Sequence, residues 1–338
     1  MNLDKFTGCI YGLAIGDALG MPMETMSRDD IKKKIGLIIP PTFLSPSMNP
    51  HIFSSLRHLK PGFWTDDTQL TLATMEAFIE SDGSFDMNKI AQKHIEAYQG
   101  ERRGWGKSTR NACQRLAEGA SWKDSGEPNG AGNGIMMKIA PLGLRKSVRQ
   151  QDPAAFLKEC ITYARMTHLG TQAIVAGVVH AAAIAFLVNS SPGNIADHST
   201  RDFLGYLRSI ALMAEKELPT TENKISEQFN RILSYWRDYI VRQKEDPEIA
   251  SRFGGGTSYA YHSLGLSYAL FAANPTSFSV VWQAACAGGD TDSNASIVGS
   301  LYGALNGASF IPKYLLSGLE RCGYLEGVAK RFFQACNK

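Results

Sequence analysis

The chain has 338 residues, is 44% apolar and carries 35 basic against 32 acidic side chains, for a formal charge of +3. That length and apolar content support a sizeable core and exclude a disordered chain. The charges form no long run of one sign, so nothing marks a binder of nucleic acid or of a membrane surface.

Apolar residues recur at helical spacing over residues 6–19, 68–80, 88–98, 108–119, 153–165, 171–188, 201–215, 224–243, 257–272, 277–286, 293–306 and, in pieces, 312–334. No stretch alternates with period two for long enough to require a strand, so the class is all-α. Many of these segments are rich in Ala and Gly, as expected where helices pack closely. Near the start, Asp17 interrupts the apolar stretch 8–23 and Asp4 offsets Lys5, so the basic flank of an export signal is missing. Lys32 to Lys34 read as a solvated helix face. Segment 40–62, with Pro40, Pro41, Pro46 and Pro50, is the longest without a pattern, and its position before an acidic cluster suggests a lid. The apolar run 173–188 is shorter than the ~20 residues of a membrane span and has His180 in its middle, which suits a buried core helix. Residues 189–201 read as a surface loop. The six cysteines, at 9, 113, 160, 286, 322 and 336, are scattered without a C-x-x-C pair, as reduced core residues of a cytoplasmic protein would be. With no composition shift, linker or internal repeat, one domain over 1–338 and a monomer are the expectation.

Two acidic clusters stand near opposite ends of the chain: Thr65-Asp66-Asp67-Thr68 after Trp64, and Asp290-Thr291-Asp292-Ser293 after Gly288-Gly289. Each opens an apolar helical segment. Carboxylates crowded at a helix start repel one another and are costly to bury unless cations neutralise them. Capping is the plain alternative. Thr65 can cap a helix, Asp66 and Asp67 suit the positive end of a helix dipole, and Asp292 or Ser293 can bond free backbone N–H groups. Together, however, Thr65, Asp66, Asp67, Asp290, Asp292 and Ser293 make an all-oxygen set that suits Mg²⁺ or Mn²⁺ and not a soft-ligand zinc site. Four carboxylates exceed the need of one ion, so two ions ~3.5–4 Å apart with a bridging carboxylate match the charge. Residues two apart on a helix diverge. Asp290 and Asp292 therefore converge only if both lie in a turn before a helix that starts near Asn294, which Gly288-Gly289 permits. An EF-hand calcium loop fails, because its sixth position is Ala295 and its twelfth is Leu301.

Other signals are weaker. The turn at 130–134 has Ile135 where a dinucleotide loop needs its last glycine, and no strand precedes it. Gly254-Gly255-Gly256 before Thr257-Ser258-Tyr259 is either a phosphate-binding turn or a hinge, with Tyr259 a candidate ligand contact. His180, on an apolar helix, reads as structural. There is no G-x-S-x-G elbow and no cysteine marked as a nucleophile.

Several motifs in register carry a family resemblance. They are Ile15-Gly16-Asp17-Ala18-Leu19-Gly20 with Glu24, then Trp64-Thr65-Asp66-Asp67-Thr68, then Asn133-Gly134-Ile135-Met136-Met137-Lys138-Ile139-Ala140-Pro141. Thr167-His168 follows, and last Gly288-Gly289-Asp290-Thr291-Asp292 before a small-residue helix. In that order they resemble the ADP-ribosylglycohydrolase family, most strongly over residues 6–308.

The resemblance implies an all-α, orthogonal multi-helix bundle with a dinuclear magnesium or manganese centre that hydrolyses the bond between ADP-ribose and an acceptor. It implies Thr65, Asp66, Asp67, Asp290, Asp292 and Ser293 as metal ligands. Glu24 matches a flap glutamate over the metals, and Glu24 or Asp66 would move the proton. Asn133 and Gly134 match a turn lining the ADP-ribose pocket, and His168 a residue near the phosphates or ribose. Where some relatives carry an aspartate at the substrate end, the segment 98–106 offers only Glu101. The implied function is removal of ADP-ribose from a modified protein side chain, arginine-linked slightly ahead of serine-linked, with free ADP-ribose as product. The alternatives are hydrolysis of a small ADP-ribose ester or nucleotide derivative, and a non-catalytic relative of the lens-crystallin kind.

Overall fold

The computed structural model describes residues 3–36, 41–195, 199–218, 220, 222–242 and 249–338. Among them all regular elements are helical, with two isolated backbone bridges, Glu127 to His168 and Gly132 to Tyr259. The α-helices are α1 (Leu3–Gly20), α2 (Arg28–Ile35), α3 (Asp66–Glu80), α4 (Met87–Gln99), α5 (Lys107–Ala117), α6 (Ala140–Val148), α7 (Pro153–Arg165), α8 (Thr171–Val188), α9 (Pro192–Ile195), α10 (Ser199–Glu217), α11 (Ile225–Arg242), α12 (Ile249–Arg252), α13 (Ala260–Ala273), α14 (Ser279–Ala285), α15 (Thr291–Asn306), α16 (Lys313–Gly318) and α17 (Cys322–Cys336). The all-α expectation holds.

Local chemistry sets several helix starts. Ser27 accepts the Asp30 N–H at the head of α2, and Asp86 accepts those of Asn88 and Lys89 at α4. Asp152 accepts the Ala155 N–H at α7, where Pro153 occupies the first turn and forfeits no helical bond.

Helices α1 and α15 lie at the centre and are buried on every side, as helices without a polar face must be. They run antiparallel with their backbones in contact. A Cβ on Gly12 would sit 2.0 Å from the Gly299 carbonyl oxygen, and one on Gly299 2.0 Å from that of Gly12. Gly8 meets Gly303 and Gly16 meets Ala295 in the same register, so small residues every fourth position form the seam. The seam brings the C-terminal end of α1 beside the N-terminus of α15, where the second acidic cluster sits.

Helix α8 is apolar and long enough to cross a membrane by composition, but 83% of it is buried inside the protein. His180 in its middle meets the Tyr268 hydroxyl at 3.0 Å and the Ser300 hydroxyl at 3.1 Å, tying α8 to α13 and α15. All six cysteines are unpaired, and Cys9, Cys113, Cys160 and Cys336 are buried.

Some elements differ from expectation. Helix α6 lies outside every predicted segment; its Pro141 falls in the first turn, where no helical N–H bond is lost. The C-terminal pieces are α16 and α17, separated where Arg321 adopts the left-handed conformation (φ 51°). The loop expected over 189–201 contains α9 and the start of α10, and residues 196–198 lie outside the described residues, as does residue 243 at the end of the 224–243 segment. Of segment 40–62, Pro40 lies outside the described residues; the remainder forms short 3₁₀ turns at Pro46–Met48 and Ser54–Leu56. It is far from structureless: Ile52, Leu56 and Leu59 bury themselves against Met21 in a small cluster of their own.

Candidate metal centre and its cleft

The first acidic cluster is organised by a residue from another helix. Thr65 occupies the N-cap position of α3, but its side chain makes no cap bond. Its hydroxyl donates to Asp17 Oδ1 at 2.6 Å and its N–H to the same carboxylate at 2.9 Å. Thr68 adds its hydroxyl at 2.6 Å and its N–H at 3.1 Å. Asp17, fully buried on α1, thus caps α3 from outside, and Asp66 and Asp67 are released from the capping role that sequence allowed them. Burial raises the Asp17 carboxyl, and the bonds from Thr65 and Thr68 pull it back. No role was assigned to Asp17 from sequence; the available signal was a lone acid inside an otherwise apolar helix.

The second cluster corrects the expected helix start. Helix α15 begins at Thr291, with Asp290 at its N-cap and Asp292 in its first turn. The two carboxylates still converge, because the Asp290 backbone is non-helical (φ −87°, ψ 76°) and re-aims its side chain. Before it, Gly288 and Gly289 have positive φ, and a Cβ on Gly289 would lie 2.6 Å from the Gly256 carbonyl oxygen. That carbonyl accepts the Asp290 N–H and the Asn294 amide, each at 2.9 Å. The Gly254-Gly255-Gly256 turn is therefore a buttress for the acidic turn. Of this region it is Thr257, Ser258 and Tyr259 that face the cleft.

Glu24 completes the group. It follows a 3₁₀ turn, Met21–Met23, and its carbonyl accepts the Asn49 amide at 2.7 Å, while the Thr25 N–H bonds Gly289 at 2.7 Å. Thr25 carries a strained positive φ of 69°. Glu24, Asp290 and Asp292 each bring a carboxylate oxygen within 4.8 Å of the others. Segment 41–62 thus acts on the site through Asn49, which holds the Glu24 backbone.

Burial and mutual repulsion dominate the electrostatics. Burial first, then the charges of Asp290 and Asp66, raise Glu24 well above the usual carboxylate range. Asp67 and Asp292 are likewise raised by burial and then by their acidic neighbours, and Asp66 is pushed up to about 7. Asp66 accepts the Gly106 N–H at 3.3 Å. Neither oxygen of Asp67 nor Oε2 of Glu24 has a hydrogen-bond partner; the Ser296 hydroxyl exerts a small opposing pull on Asp67 without meeting bonding geometry. Buried, unpartnered, oxygen-only acceptors at this density fit a hard divalent cation and little else.

Above the cluster opens a cleft of about 1140 Å³, with Glu24, Asp66, Asp290, Asp292 and Ser293 on its floor. Thr65 and Asp67 lie beneath that floor, and the Ser293 hydroxyl contacts Met137 Sδ at 3.8 Å. One arm contains Asn133, Gly134, His168 and Tyr259, so the four residues expected to contact a ligand are brought together. Asn133, however, spends its amide protons inward, on Asp290 Oδ2 at 2.8 Å and Ser263 at 3.1 Å, and so orients one carboxylate of the acidic group. Tyr259 presents its ring edge-on to His262 at 5.1 Å. The other arm carries a stack that sequence did not reveal: Arg102 over Tyr98 at 4.5 Å, and Tyr98 against Trp105 at 6.1 Å. Glu101 pairs with Arg103 at 2.9 Å and with His58 at 3.5 Å and does not line the cleft.

Comparison with known proteins agrees with this geometry. The family model described as ADP-ribosylglycohydrolase matches residues 1–338. ADP-ribosylarginine hydrolase Tri1 of Serratia proteamaculans is 27% identical, over 98% of this chain and 80% of its own. ADP-ribosylhydrolase ARH3 of Mus musculus is 23% identical, over 98% and 93%. Among solved structures, an ADP-ribosylglycohydrolase-related protein complex superposes with a TM-score of 0.71 at 25% identity, covering 99% of this chain and 98% of the other. The match of that family model over the whole chain shows that this chain belongs to the ADP-ribosylglycohydrolase family.

Proposed function

We propose that the protein is a metal-dependent ADP-ribosyl-acceptor hydrolase that releases ADP-ribose from a modified protein side chain, with arginine-linked ADP-ribose ahead of serine-linked. The observation that carries this is the convergence of Glu24, Asp290 and Asp292 above the unpartnered, buried Asp67 at the floor of a cleft large enough for a nucleotide. Two relatives named as ADP-ribosylarginine hydrolases support the arginine preference.

Thr65, Asp66, Asp67, Asp290, Asp292 and Ser293 would hold two Mg²⁺ or Mn²⁺ ions. When bound, such ions supply fixed positive charge that polarises water and orients ribose hydroxyls. The chain's own groups do the rest. As the bond from the anomeric carbon to the acceptor breaks, oxocarbenium character builds there; the acceptor leaves with a proton, and water adds to that carbon and gives up a proton in turn. Glu24, beside Asp290 and Asp292 on the floor of the cleft, hands over the acceptor's proton and takes back the one the water releases, with Asp66 as the second candidate for the transfer. Asn133 fixes Asp290, and Asp17 fixes the start of α3. The arm with Gly134, His168 and Tyr259 takes the nucleotide, and the arm with Tyr98 and Arg102 faces the target protein. Unpaired cysteines suit a cytoplasmic setting, and we take the working form to be a monomer.

The test is release of ADP-ribose from arginine-linked and serine-linked peptides, each with and without EDTA. Activity on neither substrate, or activity unaffected by EDTA, overturns the reading. Glu24→Gln should lower kcat by about 10²–10⁴-fold while ADP-ribose affinity stays within twofold. A loss of affinity equal to the loss of rate would instead make Glu24 a binding residue.

A further inference from the structure

Behind the nucleotide arm lies a group of buried polar side chains that the chemistry above does not use. Lys138 is fully buried in the turn between Asn133 and α6, with its ammonium 3.1 Å from the Thr167 hydroxyl and 5.7 Å from the Tyr163 ring. Thr167, also fully buried, lies 2.9 Å from Nδ1 of His168. The backbone of this segment is pinned by bonds from the Glu127 N–H to the Thr167 carbonyl and from the Leu169 N–H to the Glu127 carbonyl. The imidazole edge opposite Thr167 lies beside Gly134, where a Cβ would be 3.0 Å from Cε1 and 3.1 Å from Nε2. Gly134 and His168 both line the cleft, so Nε2 is the ring nitrogen turned toward a ligand.

We infer that Lys138 is a positioning residue that acts through Thr167 to hold His168 in its Nε2–H tautomer, so that the ring presents a neutral hydrogen-bond donor to an oxygen of the bound ligand. The argument is one of donors and acceptors. An ammonium only donates, so Lys138 occupies a lone pair of the Thr167 oxygen. The Thr167 hydroxyl proton then needs an acceptor, and among the described residues the one within reach is His168 Nδ1. Were Nδ1 protonated, it would compete for the same oxygen and strand the hydroxyl proton in the interior. With Nδ1 as acceptor, the ring proton sits on Nε2.

The ring also stays uncharged. Burial and then Lys138 lower His168 to about 3. A neutral donor is suited to a ligand oxygen beside a cation-rich centre, because it adds no further charge to balance. The ligand class is an oxygen acceptor such as the phosphate or ribose of ADP-ribose. That part rests on the proposed function, whereas the tautomer does not.

The experiment is long-range ¹⁵N–¹H correlation on histidine-labelled protein at pH 7, with ADP-ribose affinity and Mn²⁺ affinity measured alongside. In the wild type, His168 should show a protonated Nε2 and a bare Nδ1. Lys138→Met leaves the Thr167 oxygen free to accept as well as donate, so the ring should gain the Nδ1–H tautomer and ADP-ribose binding should weaken by about tenfold, with Mn²⁺ affinity unchanged. Lys138→Arg keeps a donor and should restore the wild-type pattern. A wild-type Nδ1–H tautomer overturns the proposal. So does an unchanged tautomer in Lys138→Met, and the wild-type measurement serves even if that variant fails to fold. A wild-type Nε2–H pattern without any ADP-ribose binding would sink the proposed function and leave the relay standing.

Discussion

Removing one negative charge from the floor of the site should stabilise the metal-free protein. Asp67 is fully buried, has no hydrogen-bond partner, and is raised well above its usual range by burial and by Asp17, Asp66 and Asp290. A raised carboxyl binds a proton in the folded state that the unfolded chain lacks, so its contribution to stability falls as pH rises from the unfolded value toward the folded one. Asp66 is raised with it, from 3.8 to about 7. For Asp66, at ~1.36 kcal/mol per pH unit, carrying the proton costs about 3 kcal/mol at pH 6 and about 4 kcal/mol at pH 7. Asp66→Asn escapes that cost, and Asp67→Asn escapes one of the same sign. For a chain of this size, ~2.1 cal/mol/K per residue of unfolding entropy converts the Asp66→Asn gain to a Tm rise of roughly 4 °C at pH 6 and 6 °C at pH 7. Calorimetry in EDTA at both pH values, wild type against variant, measures it, and taking the difference cancels all other titrating groups to first order. With Mn²⁺ added the order should reverse, because the variant has lost a ligand. A lower Tm for Asp67→Asn in EDTA, or a gain that does not grow with pH, would refute the picture of a repulsive site awaiting cations.

Three further outcomes follow from the same structure. Gly12→Ala forces a Cβ against the Gly299 backbone and should cost about 1–3 kcal/mol by urea unfolding, while Gly193→Ala, with open space around it, should cost far less. The rings of His94, His168 and His180, each lowered to about 3 chiefly by burial, should show no titration by NMR between pH 8 and 5. Since their folded values lie below the unfolded value of ~6.5, the stability they contribute is present above that pH and is lost as pH falls toward 3. Arg102→Glu should reduce kcat/KM for ADP-ribosylated protein severalfold and leave small ADP-ribosyl-arginine unaffected; equal losses on both would move Arg102 from the target arm to the nucleotide.

Helical periodicity made the fold class legible, because side chains every three to four residues report which face is buried whatever the partner. It did not find α6, a nine-residue helix with Pro141 in its first turn and Gly143 within it. It also misplaced the start of α15, since a residue at an N-cap and one inside the first turn look alike in sequence but point differently. The motifs picked out acidic residues that the fold brings to one cleft. They did not show that Thr65 answers to Asp17, or that Asn133 turns inward to Asp290.

Residue type and spacing were enough for the chemistry of the site: hard oxygen donors, too many for capping, in a chain with small residues along two helices. The assembly needed the fold. Glu24, Asp66 and Asp290 come from separate parts of the chain, and their convergence depends on the close antiparallel contact of α1 with α15 and on the meeting of Gly256 with Gly289. The same holds for the stack of Arg102 on Tyr98 and the contacts of Lys138 with Thr167 and His168. Burial, not identity, is what raises these carboxyls and fixes these donors, and burial is a property of the packed molecule.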